Sequence, residues 1–258
     1  MQRAQTAVDW PDWARRWEDQ QLFHIPRREQ RFQLMLELVG EIAGPEPTAI
    51  LDLACGPGSI SRRALNRFPR TRLVALDADP FLLEMGERTL GDAGGRLRWV
   101  RADLRGTEWV EQLREFAPFD AVLTATALHW LSASDLVHVY RGLAGLVRPG
   151  GVFFNAEHMM LARPTGRFGS VGKGLRLRLG RHEDGDGESW DQWWKAAQAE
   201  PAFAALLADR ATVFDEIHPR HEEYIMADFH EEALKLAGFS ETAVVFRYLD
   251  DTIVGGIR

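Results

Sequence analysis

Between residues 49 and 155 the chain switches repeatedly between two hydrophobic periods, and this alternation restricts its fold more than any single residue does. Short apolar runs at 49–53, 73–76, 97–100, 121–124 and 152–155 are separated by stretches of helical period at 60–68, 81–90, 109–116 and 136–147. A short apolar run followed by an amphipathic helix is a βα unit. Consecutive units of this kind lay their strands parallel, with helices covering both faces of the sheet. The punctuation agrees: Asp79 can cap a helix that opens on Pro80, and Arg148-Pro149-Gly150-Gly151 stops one helix and turns the chain into the next strand.

The flanks follow other rules. Residues 10–43 have helical spacing, with Trp13 and Trp17 four apart and Phe32, Met35, Leu36 and Val39 in one apolar stripe. Residues 158–190 are rich in Gly and Arg (RPTGRFGSVGKGLRLRLGRHEDGDGE) and read as loop with one short helix. Helical spacing returns at 190–209, opened by Ser189 or Asp191, and at 230–237, ending at Gly238. Two strands, 243–248 and 252–257, close the chain; their Asp250-Asp251 link is short enough to allow only an antiparallel hairpin. No internal repeat or linker interrupts the chain, so one domain is expected over 1–258. Its parts are a helical N-terminal cap (1–44), a core (45–157), a cap insertion (158–230) and a closing helix and hairpin (231–258).

Composition excludes several classes. With 258 residues, 45% hydrophobic and 27% charged, the chain can bury a full core. No run approaches the roughly 18 apolar residues of a membrane helix, and the N-terminus lacks the apolar segment of a signal peptide. A net charge of -7 opposes binding to nucleic acid or anionic membrane. A single cysteine, Cys55, excludes an internal disulfide framework and reads as a small buried thiol. The expectation is a cytoplasmic monomer or homodimer acting on a small molecule. Nine tryptophans suit the walls of a binding cavity.

The strongest local signal is Ile50-Leu51-Asp52-Leu53-Ala54-Cys55-Gly56-Pro57-Gly58-Ser59, where a strand runs through a glycine turn into a helix and backbone N–H groups can approach a ligand. A dinucleotide fingerprint would carry glycine where Ser61 stands. Asp52 would repel a pyrophosphate but suits an ammonium, hence a ligand with an amino-acid head. Asp77, about 20 positions after the turn, is placed to accept from ribose hydroxyls. Asp103 can accept from an adenine amine, with Leu104 against the base. Three acids at the ends of three successive strands then line one crevice, where open α/β sheets bind ligands.

These motifs resemble those of the class I S-adenosylmethionine-dependent methyltransferase family. LDLACGPGS is similar to its glycine-rich first motif, with Ala54 where the first glycine usually stands. LVALDAD resembles the ribose motif, RADL the adenine motif, FDAVLTATALHWL the fourth-strand motif and LVRPGG the turn before strand five. The resemblance covers residues 45–155 closely and the closing hairpin loosely. It implies a Rossmann-like, doubly wound α/β sheet of order 3-2-1-4-5-7-6 with strand 7 antiparallel. It also implies that Asp52, Gly56, Gly58, Asp77 and Asp103 touch S-adenosylmethionine, which leaves as S-adenosylhomocysteine, with Ala54, Ala78, Leu104 and Thr124 beside them.

After strand four, Thr124-Ala125-Thr126-Ala127-Leu128-His129-Trp130 faces the reacting sulfur in such enzymes. His129 is the candidate catalytic residue, as a general base or as a donor to a substrate carboxylate. "LHWL" also resembles small-molecule carboxyl methyltransferases of the trans-aconitate and plant salicylate groups. Trp130, His158 and Trp194 are further candidate substrate contacts. The leading expectation is O-methylation of a small-molecule carboxylate by direct SN2 displacement, since a carboxylate is already ionised at neutral pH and needs no base; the alternative is an O-, N- or C-nucleophile of a natural product, which would use one. His158, His218 and His221 are alternative bases. Arg163, Arg167, Lys173, Arg176, Arg178 and Arg181 form either an anion site or a solvated lid. His182-Glu183-Asp184 with His218 and His221 lacks the spacing of a zinc site, and no metal is expected. A non-catalytic cofactor-binding module and a nucleic-acid methylase are weaker alternatives. The latter is opposed by the acidic charge and by the apolar stretch after strand four.

Overall fold

A computed structural model describes residues 8–25, 27–159, 166–180, 187–214 and 225–258. Seven strands form its centre: β1 (Ala49–Leu53), β2 (Arg72–Asp77), β3 (Leu97–Arg101), β4 (Phe119–Ala125), β5 (Val147–His158), β6 (Glu241–Tyr248) and β7 (Asp251–Ile257). They lie in the order β3-β2-β1-β4-β5-β7-β6, with β7 antiparallel to both its neighbours and the first five strands mutually parallel. This is the expected topology. β1 and β4 are adjacent, so the chain reverses its winding between them and opens a crevice above their carboxyl ends.

Among the described residues ten α-helices surround the sheet: α1 (Trp10–His24), α2 (Arg28–Ile42), α3 (Ser59–Arg67), α4 (Pro80–Leu90), α5 (Glu108–Leu113), α6 (Ala133–Leu146), α7 (Arg167–Gly180), α8 (Trp190–Ala199), α9 (Ala204–Phe214) and α10 (Ala227–Ala237). Alternate strand residues serve opposite faces. Leu51, Leu53, Val74, Leu76 and Val122 pack with Trp109, Tyr140, Leu143 and Leu234 on one side. Ile50, Leu73, Ala75 and Leu123 pack with Phe32, Met35, Val39, Ile60 and Ala64 on the other. Burial on both faces explains why the strand runs are continuously apolar in sequence.

Four expectations change in detail. The helical stretch 10–43 is two helices, because Ile25, which precedes a proline in the sequence, is extended (φ -123°, ψ 85°) and Arg27 is left-handed (φ 61°). The loop expected after β5 contains the 14-residue α7, whose buried Gly169 and Gly172 sit three apart and let it pack against α1. The final hairpin turns at Leu249-Asp250 rather than Asp250-Asp251. Asp251 therefore pairs with Tyr248 and His158 within the sheet. The helical stretch 190–209 is also divided, by a 3₁₀ turn at Pro201–Phe203; a capping box of Ser189 and Gln192 opens α8.

Gly58, at the start of α3, is packed closely against Trp99 of β3 and Leu90 of α4. It has φ 80°, and a Cβ there would lie 2.8 Å from Trp99 Cη2 and 3.0 Å from Leu90 Cδ1. Both the left-handed backbone and the Trp99 ring exclude a side chain. Gly58→Ala is expected to cost about 1–3 kcal/mol in urea denaturation. Adding Trp99→Leu should recover the steric part and leave the backbone part. Full stability in the single variant would refute this role.

Candidate functional site

Asp52 reaches the site from the end of β1 and is almost wholly buried. Its Oδ2 accepts from the Ser61 amide (2.8 Å) and hydroxyl (2.7 Å), which ties the first turn of α3 to the strand. Its Oδ1 is equally buried and has no partner. A buried, unbonded carboxylate oxygen is costly, so it marks the point where a ligand donor fits. Burial pushes Asp52 up to about 7, with the neighbouring Asp77 adding to the rise and the Ser61 bonds opposing it.

Asp77, at the end of β2, binds backbone with both oxygens: Oδ2 accepts from Gly56 N (2.7 Å) and Oδ1 from Asp79 N (2.8 Å). It thus fastens the glycine turn, where Ala54 and Gly56 both have φ 54°, against the second strand. Burial and Asp79 raise it to about 6 despite those bonds. Each oxygen keeps a second lone pair, so accepting from a ligand hydroxyl is compatible with this role. Asp103 behaves differently. It is half-exposed, and Arg105 of its own loop donates to both its oxygens at 2.5–3.0 Å.

A cavity of about 610 Å³ opens over these strand ends. Asp52, Ala54, Gly56, Asp77, Ala78, Asp103 and Leu104 line it, as do all four expected substrate contacts, His129, Trp130, His158 and Trp194. Two candidates for cofactor contact fall outside the lining. Gly58 is turned into the α3–α4 packing. Thr124 is fully buried and pairs with Asn155 inside the sheet, so the alternation along β4 gives the cavity Ala125 and the following Thr126 instead. Of the basic run, Arg167 and Arg178 are exposed on α7. Arg163, Arg181, His182, Glu183, Asp184, His218 and His221 lie outside the described residues, as do the side chains of Lys173 and Arg176. Cys55 is buried, and burial raises its thiol.

The tryptophans divide by place. Trp17, Trp130, Trp190 and Trp194 line the cavity. Trp10, Trp13 and the fully buried Trp193 back it in a cluster with Phe81 and Phe203 that joins α1, α4 and α8. Trp99 and Trp109 belong to the two faces of the sheet.

Sequence reasoning missed Glu157. It ends β5, is buried, and its Oε2 lies 2.9 Å from His129 Nδ1, while its Oε1 accepts from the His158 amide (2.8 Å). Burial alone would raise it; the adjacent His129 and His158 outweigh that and hold it at about 2. An ionised Glu157 accepting from Nδ1–H leaves Nε2 as the basic nitrogen of His129. The available signal was an acid at a strand end, the same signal that identified Asp77. Behind this pair lie Tyr140 and His230, bonded at 2.6 Å; burial lowers His230 to about 4. A second imidazole–carboxylate contact sits alongside: His158 Nδ1 is 2.8 Å from the buried Asp251 Oδ1, which Arg31 also approaches at 3.4 Å.

The cations lining the cavity already have partners. Arg28 pairs with Glu18 (2.7 Å), Arg105 with Asp103, and Arg210 with Asp79 (2.6 Å) while stacking over Trp194 and Phe214. Glu18 also bonds Ser59 and Arg63. Burial works against its charge, yet these partners together keep it at about 2. Among the described residues no group of three or more His, Cys, Asp or Glu gathers to hold a metal, and no helix is long and apolar enough to cross a membrane.

Residues 50–151 match a family described as a methyltransferase domain. The chain is 27% identical over 136 residues to trans-aconitate 2-methyltransferase of Azoarcus sp. strain BH72, covering 53% of this chain and 48% of the relative. It is 29% identical over 198 residues to the enzyme of that name from Methylobacterium radiotolerans, covering 76% and 65%. The chain thus spans about half the length of the curated relatives it matches. In fold it is similar to DesVI of Streptomyces venezuelae, with a TM-score of 0.59 at 15% identity, covering 97% of this chain and 99% of that one.

The raised acids give a pH test. Asp52 and Asp77 titrate near 7 and 6 when folded but near 4 when unfolded. Between those values the folded state holds protons that the unfolded state has released, so stability falls as pH rises from about 4 to about 7. In urea denaturation between about pH 5 and 7.5, Asp52→Asn should lose stability less steeply than the wild type. Equal slopes would contradict the assignment.

Proposed function

Residues 50–151 form a methyltransferase domain of the class I, S-adenosylmethionine-dependent kind, and from that premise we propose that the chain transfers a methyl group to an oxygen of a small molecule held beside His129. The observation that carries this reading is His129, which lines the same cavity as Asp52, Asp77 and Leu104 and is bonded from behind by the buried Glu157.

The residues present fit the cofactor. The partnerless Oδ1 of Asp52 suits its ammonium, Asp77 its ribose hydroxyls, and Leu104 with the loop of Asp103 its adenine. Asp103 would accept from the adenine amine only by sharing its oxygens with Arg105. Asp52 and Asp77, buried and close together, favour a ligand that carries positive charge. When bound, S-adenosylmethionine supplies a methyl on a positively charged sulfur, which an oxygen nucleophile displaces.

The chain's own groups supply orientation and proton handling. Trp17, Trp130, Trp190 and Trp194 offer flat apolar walls that exclude water and align a planar acceptor. For an acceptor hydroxyl, His129 Nε2 takes the proton as the new C–O bond forms, and the buried Glu157 carboxylate balances the imidazolium. The pairing of Arg28, Arg105 and Arg210 with the chain's own carboxylates leaves the described wall better suited to a neutral acceptor than to a polyanion.

A second reading rests on the similarity to trans-aconitate methyltransferases. There the acceptor is a carboxylate, His129 and His158 hold it, and no base is used.

Incubation with methyl-labelled cofactor and matched phenols and carboxylic acids separates the two. A hydroxyl acceptor predicts a rate that falls on the acid side in the wild type, with that limb absent in His129→Ala and kcat lower by about 10²–10⁴. Glu157→Gln should lower kcat less and leave S-adenosylhomocysteine binding within about threefold. A flat profile, with His129→Ala raising KM alone, favours the carboxylate. If S-adenosylhomocysteine does not bind in calorimetry, both readings fail; binding without turnover of any acceptor leaves a cofactor-binding module.

A further inference from the structure

A second pocket, of about 240 Å³, lies at the opposite end of the sheet. The first cavity sits where strands end; this one sits where they begin, at Ala49 of β1, Arg72 of β2, Phe119 of β4 and Arg96, which immediately precedes β3. Its floor is apolar: Val74 and Phe119, from one face of the sheet, are buried, and Phe116 is partly so. Its polar wall consists of three guanidiniums, Arg72, Arg96 and Arg98, and no Asp or Glu lines it.

This composition is the reverse of the first cavity, where each lining arginine has a carboxylate of the chain. Arginine stays charged at any physiological pH, so three of them around one apolar floor repel one another unless an anion enters. One observation singles out Arg96 among the three. Arg96 Nη1 is shut off from solvent and has no hydrogen-bond acceptor among the described residues. A buried, unsatisfied guanidinium nitrogen carries a desolvation cost that an anionic oxygen would offset.

We propose that this pocket binds a small organic anion, a carboxylate or phosphate on an apolar body about the size of one aromatic ring. The anion occupies the fork of Arg96 with Arg72 and Arg98 at the rim. The ring rests on Phe116, Phe119 and Val74. The volume excludes anything as large as a nucleotide cofactor, which needs a site of the usual several hundred Å³. The site is separated from the crevice by the length of the strands, so its occupant does not compete for the methyl-transfer site.

Calorimetry with phenyl phosphate, benzoate, inorganic phosphate and phenol tests the assignment. Phenyl phosphate or benzoate should bind at one site per chain, and at least about tenfold more tightly than inorganic phosphate or phenol. Arg96→Gln should weaken that binding about tenfold or more. Its fold should be intact, because the Arg96 carbonyl still accepts from the Leu73 amide (2.7 Å). Phe116→Ala should narrow the gap between phenyl phosphate and inorganic phosphate. Arg210→Gln, which removes a guanidinium from the crevice instead, should leave the affinity of this second pocket for phenyl phosphate unchanged. The proposal is overturned if neither organic anion binds at roughly 10 mM, if Arg96→Gln binds as the wild type does, or if Arg210→Gln abolishes binding.

Discussion

The bond from Gly56 N to the Asp77 carboxylate holds the site together. It joins the turn after β1 to the end of β2 and is made by an acid that burial would otherwise neutralise. Asp52 does the same for the first turn of α3 through Ser61. Two buried carboxylates thus pay for the shape of one glycine turn. Their cost is repaid by backbone N–H groups and, on the proposed function, by a cationic ligand at the free Oδ1 of Asp52. Ala54 keeps a left-handed backbone at the first position of this turn, where a glycine would sit without strain.

Around this frame the variable parts act as a roof. α1 and α8 are drawn together by interleaved aromatic rings and the Arg16–Glu188 ion pair, and α9 is tied to the core by the pairs of Arg101 with Asp209 and Arg210 with Asp79. Arg210 is informative because it closes the wall near Asp79 while stacking on Trp194 and Phe214. The same side chain therefore satisfies a buried acid and shapes the acceptor side of the cavity.

The two ends of the parallel sheet differ in electrostatic character. Above the carboxyl ends Asp52 and Asp77 are buried and the lining arginines have carboxylate partners; in the pocket at the amino ends Arg72, Arg96 and Arg98 line the wall with no Asp or Glu beside them in the lining. The order of the strands places these environments at opposite ends of the same β1, β2 and β4, which is why neither is visible as a cluster in the linear sequence.

Much of the fold was legible along the chain because it depends on local period and on punctuation. Apolar runs of four or five residues, each followed by helical spacing, specify parallel βα units, and turn residues at 79–80 and 148–151 mark their joints. Asp77 was legible for the same reason, since its place follows from strand length and turn. What the chain could not reveal depends on which way a side chain faces and on what meets it from far away. Thr124 and Ala125 are neighbours in sequence, yet the pleat of β4 sends one into the sheet and the other to the cavity. Gly58 carries the motif's spacing, but Trp99, 41 positions on, claims the space beside it. Glu157 meets His129 only because β4 and β5 lie side by side in register, bringing residues 28 apart in sequence within hydrogen-bonding distance. Local propensity decides the elements; the register between them decides the chemistry, because a site is made of contacts between strands that no stretch of chain contains alone.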